Sequence, residues 1–248
     1  MEITFKKNYR IELAKTLDKH WYNVWEVLSS NKEKFLGCFP SITTILNAYP
    51  HSEQLVKWIA EKGYNEAREH RDQAGKDGTQ VHTAIENLLN GAELTEEGFK
   101  LEVWNKIHSF AKWHAEYKPE IIRLELPVFS KKLEVPGRVD CIAKLNDQLY
   151  VLDWKSSRSI HNSYYLQLSA YATAIEEMTD LKVDNVGVLQ LGNRTKKGYT
   201  LSIDPEWRDN IRVFKAIKET WTYDTKKEGQ GKVIAPVLEL PSKIKLEL

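Results

Sequence analysis

The 248-residue chain predicts an α/β fold: a mixed central sheet flanked by helices, with a helical N-terminal elaboration. Two observations support this. The patterning changes near residue 120, from helix-favouring segments to short β-rich runs, and a single helical stretch then interrupts those runs. With 42% hydrophobic and 10% aromatic residues, a chain of this length can bury a substantial core.

Helix is expected over residues 12–30, 41–48, 53–70, 79–90 and 97–118, with Ser41 and Ser52 as N-caps and Pro40 and Pro50 as punctuation. Strands are expected over 121–130, 137–144, 148–155 and 185–191, and more weakly over 198–203. Asn146-Asp147 supplies a turn between two of them, and 163–178 is the interrupting helix. A last helix is expected over 205–222, capped by Asp204 with Pro205 at its first position. The glycine-bearing polar stretch 225–232 is expected to be a loop. These elements divide into a mainly helical region (1–77), a core (78–222) and a C-terminal loop and tail (223–248), with no internal repeat.

Charge and cysteine content exclude several classes. A net charge of +1, from 36 basic and 35 acidic residues, rules out a uniformly basic coat protein, so any polyanion must meet a local patch. Two cysteines, Cys38 and Cys141, lie far apart and build neither a four-cysteine metal site nor a disulfide framework. No stretch reaches the roughly 18 apolar residues of a membrane span, and the N-terminus lacks the apolar core of a signal peptide. A reducing, cytoplasmic location without membrane contact is expected.

The most telling residues lie on two neighbouring strands. Arg138-Val139-Asp140-Cys141-Ile142 and Tyr150-Val151-Leu152-Asp153-Trp154-Lys155 place Asp140, Asp153 and Lys155 on one side of a sheet, because side chains alternate with period two. Trp154 faces the opposite side and packs into the core. Two converging carboxylates suit Mg²⁺ or Mn²⁺, which prefer hard oxygen ligands. Lys155 can orient or deprotonate a water, or stabilise charge on a phosphate. An isolated Asp-x-Lys more often marks a solvated strand edge. Here the run Leu149-Tyr150-Val151-Leu152 looks buried on both faces, and a carboxylate at its end is expensive unless it binds something.

Two helical constellations flank this pair. In Gly78-Thr79-Gln80-Val81-His82-Thr83-Ala84-Ile85-Glu86, His82 and Glu86 share a helix face beside an apolar stripe. In Gln167-Leu168-Ser169-Ala170-Tyr171, an amide and a phenol project together. Alone, the first reads as a structural histidine with a surface acid, and the second as an amphipathic helix.

Taken together and in order, Gly78, His82 and Glu86, then Gly137-Arg138-Val139-Asp140, then Asp153-Trp154-Lys155, then Gln167 and Tyr171 resemble the RecB-type branch of the PD-(D/E)XK nuclease superfamily. Phe39-Pro40-Ser41-Ile42-Thr43-Thr44-Ile45-Leu46 also resembles the entry to phage-encoded and mitochondrial genome-maintenance exonucleases of that branch. The resemblance implies a restriction-endonuclease-like core and a metal-dependent DNA nuclease acting from ends of single- or double-stranded DNA in repair, recombination or replication. It would work in the host cytoplasm if phage-encoded. The same pattern also fits a structure-selective endonuclease or a non-catalytic DNA-binding partner.

By that resemblance, His82, Asp140, Asp153 and the Trp154 carbonyl hold Mg²⁺ or Mn²⁺, and Lys155 is catalytic beside Asp153 and Asp140. Gln167 and Tyr171 support the site and contact the DNA backbone. Glu125 and Glu86 are candidates for the same pocket. Relatives that carry a four-cysteine iron-sulfur cluster differ here, since two cysteines cannot build one. Arg138 is the leading phosphate contact because it shares the strand face of Asp140. Arg68, Arg71, Lys76, Lys131 and Lys132 are further basic candidates, and Trp21, Tyr22 and Trp25 could stack on unpaired bases.

Overall fold

The structure is a computed structural model that describes residues 3–14, 20–28, 32–157 and 159–227. An antiparallel three-stranded sheet, β1 (Asn8–Ala14), β2 (Trp21–Val27) and β3 (Glu33–Pro40), comes first. Four helices follow: α1 (Ile42–Leu46), α2 (Glu53–Lys62), α3 (Tyr64–Leu89) and α4 (Leu101–Tyr117). The second sheet has the order β4 (Glu120–Ser130), β5 (Val135–Leu145), β6 (Gln148–Lys155), β7 (Asn185–Leu191) and β8 (Tyr199–Asp204). Helix α5 (Asn162–Met178) joins β6 to β7, and α6 (Asn210–Lys227) ends the described chain.

The β6–β7 pair is parallel and the other pairs are antiparallel, which makes the central sheet mixed. A parallel pair needs a crossover, and α5 is that crossover. The β5–β6 hairpin closes through Asn146 and Asp147, both with positive φ (48° and 63°), the backbone twist that two-residue hairpin turns favour. Every residue of β7 is buried, as expected for a strand covered on both faces. One apolar core packs α1, α5 and α6 against the sheet, including Ile142, Val151, Leu168, Ile175 and Phe214. The other packs α3 and α4 against the opposite face, including Ile85, Phe110, Trp113, Leu152 and Trp154.

Several elements match their local signals. Ser41 Oγ accepts from Thr44 N (3.0 Å) and Ser52 Oγ from Leu55 N (3.2 Å), so both expected caps are made. Of the helix expected over 12–30, residues 12–14 and 21–27 are corrected to strand, and 15–19 and 29–30 lie outside the described residues. Leu13, Leu17, Trp21, Val24 and Leu28 mimic helical spacing, but Trp21, Tyr22, Val24, Trp25 and Val27 favour a pleated, half-buried surface, and pairing with β1 and β3 decides the outcome. The segment expected over 53–70 breaks at Gly63 (φ 79°), and a new helix, α3, continues unbroken through 79–89. The last helix starts at Asn210 instead of 205, because Asp204 accepts from Glu206 N (3.0 Å) and Asn210 Nδ2 (2.8 Å) and closes a turn there. Of the expected loop 225–232, residues 225–227 belong to α6 and the rest lie outside the described residues. Among the described residues no helix is long and apolar enough to cross a membrane.

Trp113 is fully buried, with Phe110 and Trp154 centroids at 5.5 and 5.7 Å, and so anchors the core behind β6. Trp113→Ala is expected to lower the unfolding free energy by about 3–5 kcal/mol in urea denaturation. A loss below about 1 kcal/mol would show that this core is not close-packed.

Candidate active site

The strand registers line up three acids. Leu124 pairs with Cys141 and Leu126 with Val139, which puts Glu125 level with Asp140; Cys141 pairs with Leu152, which puts Asp140 level with Asp153. The acids thus form a row across β4, β5 and β6. Two residues further along β5 and β6, Arg138 and Lys155 flank this row. All but the two aspartates line a cleft of about 630 Å³, together with His82, Glu86, Lys106, Ser156 and Tyr164 among others. Glu125 holds φ at +48° within its strand, a conformation worth about 1–3 kcal/mol of strain in a non-glycine residue and retained only where the surroundings enforce it. Arg138 Nη1 stands 3.7 Å from Glu125 Oε2.

Asp153 is 1% exposed. Its Oδ2 faces the Lys155 ammonium at 2.5 Å, and its Oδ1 accepts from Gln167 Nε2 (3.2 Å), which also donates to the Tyr171 hydroxyl (3.1 Å). Gln167 and Tyr171 on α5 are both buried, so they brace Asp153 from beneath; solvent-borne DNA cannot reach them directly. Gly137 makes room for this brace: a Cβ there would sit 2.3 Å from Tyr171 Cε1. Tyr164, one turn earlier on the helix, lies under Lys155, with its ring centroid 4.8 Å from Nζ.

His82 enters from α3 on the other side of the sheet. Its Nε2 is 3.0 Å from the Trp154 carbonyl and its Nδ1 is 3.4 Å from Asp140 Oδ2, which also accepts from Trp154 N (2.9 Å). A carbonyl only accepts, so Nε2 carries the proton and donates. Nδ1 then presents a lone pair to a carboxylate oxygen, an acceptor facing an acceptor. Burial keeps the imidazole neutral by lowering its pKa, which preserves that lone pair. Two facing acceptors are reconciled by a proton or a cation between them. Ligand atoms of His82, Glu125 and Asp140 all lie within 4.8 Å of one another, and this nitrogen and oxygen set fits a hard divalent cation.

Electrostatics point the same way. Burial, reinforced by Asp153, raises the Asp140 carboxyl well above its ordinary range, and burial also raises Glu125, partly opposed by Arg138. Lys155 is pulled down by burial, but Asp153 and Asp140 outweigh this and raise it, so it is an ammonium at neutral pH.

The other expected residues scatter. Glu86 lies on the cleft wall one turn beyond His82. Arg68 and Arg71 lie outside the cleft walls and pair with Asp72 (3.8 and 3.3 Å), and Lys76 also lies outside them. Lys131 and Lys132 sit at the β4–β5 turn. Trp21 packs against Trp221 (6.0 Å), and Trp25 lies beneath the Arg10 guanidinium (3.7 Å). Lys106, Ser156 and Tyr164 went unflagged by the sequence. Lys106 has no local signal, because only the docking of α4 brings it to the cleft.

A family model described as the PD-(D/E)XK nuclease superfamily matches residues 55–233, more than half of the chain. The chain belongs to the PD-(D/E)XK nuclease superfamily. Asp153-Trp154-Lys155 carries the Asp-x-Lys part of that superfamily's pattern, at the end of a buried strand. The chain is 30% identical over 149 residues to mitochondrial genome maintenance exonuclease 1 of Mus musculus, covering 55% of this chain and 44% of that protein. It is 30% identical over 159 residues to the protein of the same name from Xenopus tropicalis, covering 56% and 44%. It therefore spans less than half the length of these relatives. An alkaline exonuclease from Laribacter hongkongensis superimposes with a TM-score of 0.36 and 8% identity, covering 77% of this chain and 93% of that one.

The raised Asp140 pKa has a consequence for stability. A carboxyl whose folded pKa exceeds its unfolded value favours the folded state at low pH, and this advantage is lost as pH rises through the folded pKa. Asp140→Asn is therefore expected to raise the unfolding free energy of the EDTA-treated protein at pH 8, read from its urea transition, by on the order of 1 kcal/mol, with the gap closing towards pH 4. A lower unfolding free energy at pH 8 would show that the ionised carboxylate is fully compensated without metal.

Proposed function

We propose that this chain is a metal-dependent deoxyribonuclease that hydrolyses phosphodiester bonds from DNA ends. The observation that carries this is the row of Glu125, Asp140 and Asp153, buried or half-buried, with His82 above it and Lys155 beside it in one cleft. The exonuclease part draws on the name of the relatives, which share the matched region.

His82 Nδ1, Glu125 and Asp140 would hold the cation, with Asp153 and the Trp154 carbonyl as further oxygen donors. Mg²⁺ or Mn²⁺ suits this set, whereas two cysteines on separate sheets, β3 and β5, do not supply an iron-sulfur cluster. A cation held there supplies an activated water and neutralises charge building on the phosphate. Asp153 is shared between Lys155 and that role, and Gln167 fixes the orientation of its carboxylate. Lys155, held protonated by the two aspartates, is a poor base. It orients the attacking water or steadies the charged phosphate oxygens. Arg138, 58% exposed at the cleft mouth, is placed to meet a backbone phosphate. Glu86 faces the same space and helps shape it.

Digestion of end-labelled linear DNA, single- and double-stranded, in Mg²⁺ tests this. Wild type is expected to shorten both or one of them from the ends and to leave closed circles intact. Lys155→Ala and Asp153→Asn are each expected to lose at least about 10²-fold in cleavage rate while retaining DNA binding. EDTA is expected to stop cleavage, and Ca²⁺ to support binding with little turnover. Cutting of closed circles would overturn the preference for ends, and full activity in either variant would overturn the catalytic assignment.

A further inference from the structure

A second cleft, of about 430 Å³, lies between the β4–β5 turn and one face of α6. Lys132, Lys215, Lys218 and Lys226 stand in its walls against a single carboxylate, Glu219. In a chain of net charge +1, this is a marked local excess of positive charge. The α6 positions recur every three or four residues, so they share one helix face, while Phe214 and Ile217 turn into the core.

The cleft is built, and its floor is fixed. Glu177 on α5 accepts from Ser130 Oγ (2.8 Å), Lys131 N (2.9 Å) and Lys132 N (3.2 Å), and Ser130 Oγ in turn accepts from Leu133 N (3.0 Å). That carboxylate is engaged in holding the turn. Lys218 Nζ donates to the Leu133 carbonyl (2.5 Å) and lies 3.4 Å from Glu134, which docks the turn on the helix. Among the described residues, Lys132, Lys215 and Lys226 are exposed and have no carboxylate at ion-pair distance.

We propose that this lysine cleft is a second phosphodiester-binding site that holds the DNA backbone away from the acidic row. It rests on the nuclease reading above. Lysine ammoniums bind phosphate oxygens as point charges without sequence preference, as a processing enzyme requires. Position favours DNA over an acidic peptide. The strand that begins beside the cleft, β5, also carries Arg138 and Asp140, so the two sites lie along one strand, with Arg138 on the side nearer the lysines. At about 3.3 Å per strand residue, the cleft stands roughly 20 Å from Asp140. That span corresponds to about six steps of a nucleic-acid strand at 3.4 Å each.

The test is DNA binding in Ca²⁺ across a salt series, comparing the full wild-type chain with the triple variant Lys132→Gln, Lys215→Gln, Lys226→Gln. Lys218 is left in place because it anchors the turn. On DNA of about 20 nucleotides, the variant is expected to bind about tenfold more weakly, and the slope of log K against log salt is expected to flatten by about 2 to 3. On oligonucleotides of about 5 nucleotides, affinity and the Mg²⁺ cleavage rate are expected to match wild type. If wild type binds and cuts DNA but the long-DNA salt slope is unchanged, or if short and long DNA lose affinity equally, the second site is overturned and the nuclease reading stands. If wild type binds DNA of neither length, the nuclease reading fails and this proposal falls with it.

Discussion

The structure depends on one electrostatic constraint: two carboxylates on adjacent strands, the buried Asp153 and the largely buried Asp140, stand side by side with a single ammonium, Lys155, to offset them. Desolvation and mutual repulsion both oppose ionising them together. The fold answers with Lys155 on Asp153, a hydrogen bond to Asp153 from the Gln167 side-chain amide, and a Trp154 N–H on Asp140. Asp140 is still left with a raised proton affinity and an imidazole lone pair opposite one oxygen. An arrangement of this kind costs stability that a cation bound beside Asp140 would return.

The rest of the fold holds that row in place. The β5–β6 hairpin, closed by two residues, sets Asp140 level with Asp153, and a slip by one residue would turn one of them to the opposite face. Helix α5, required to connect the parallel strands, brings Gln167 and Tyr171 beneath the row. Helix α3 brings His82 over it. Trp154, between Asp153 and Lys155, reaches the other way into Phe110 and Trp113, so the strand end is anchored in one core while Lys155 reaches the cleft.

The site was legible in the sequence wherever it is encoded locally. Asp153-x-Lys155, the His82–Glu86 and Gln167–Tyr171 spacings, the Asn146-Asp147 turn and the β-rich runs each rest on period two, period 3.6 or turn chemistry. What escaped depends on long-range pairing. The stretch from Leu13 to Leu28 carries a helix-like apolar spacing that is overridden only when β1, β2 and β3 pair with one another. Glu125 is named for the pocket by the family resemblance, but nothing local announces its positive φ. The bracing role of Gln167 and Tyr171, in place of direct DNA contact, follows from their burial against Gly137 and Asp153. Lys106 reaches the cleft, and Lys132 meets the α6 lysines, only through packing, which sequence spacing does not announce.

The most direct measurement is calorimetric titration of Mn²⁺ into the metal-free chain, comparing wild type with His82→Ala and Glu125→Gln under conditions where circular dichroism shows all three folded. If His82, Glu125 and Asp140 form the cation site, each substitution weakens Mn²⁺ binding by about tenfold or more. Unchanged Mn²⁺ affinity in both variants would contradict it.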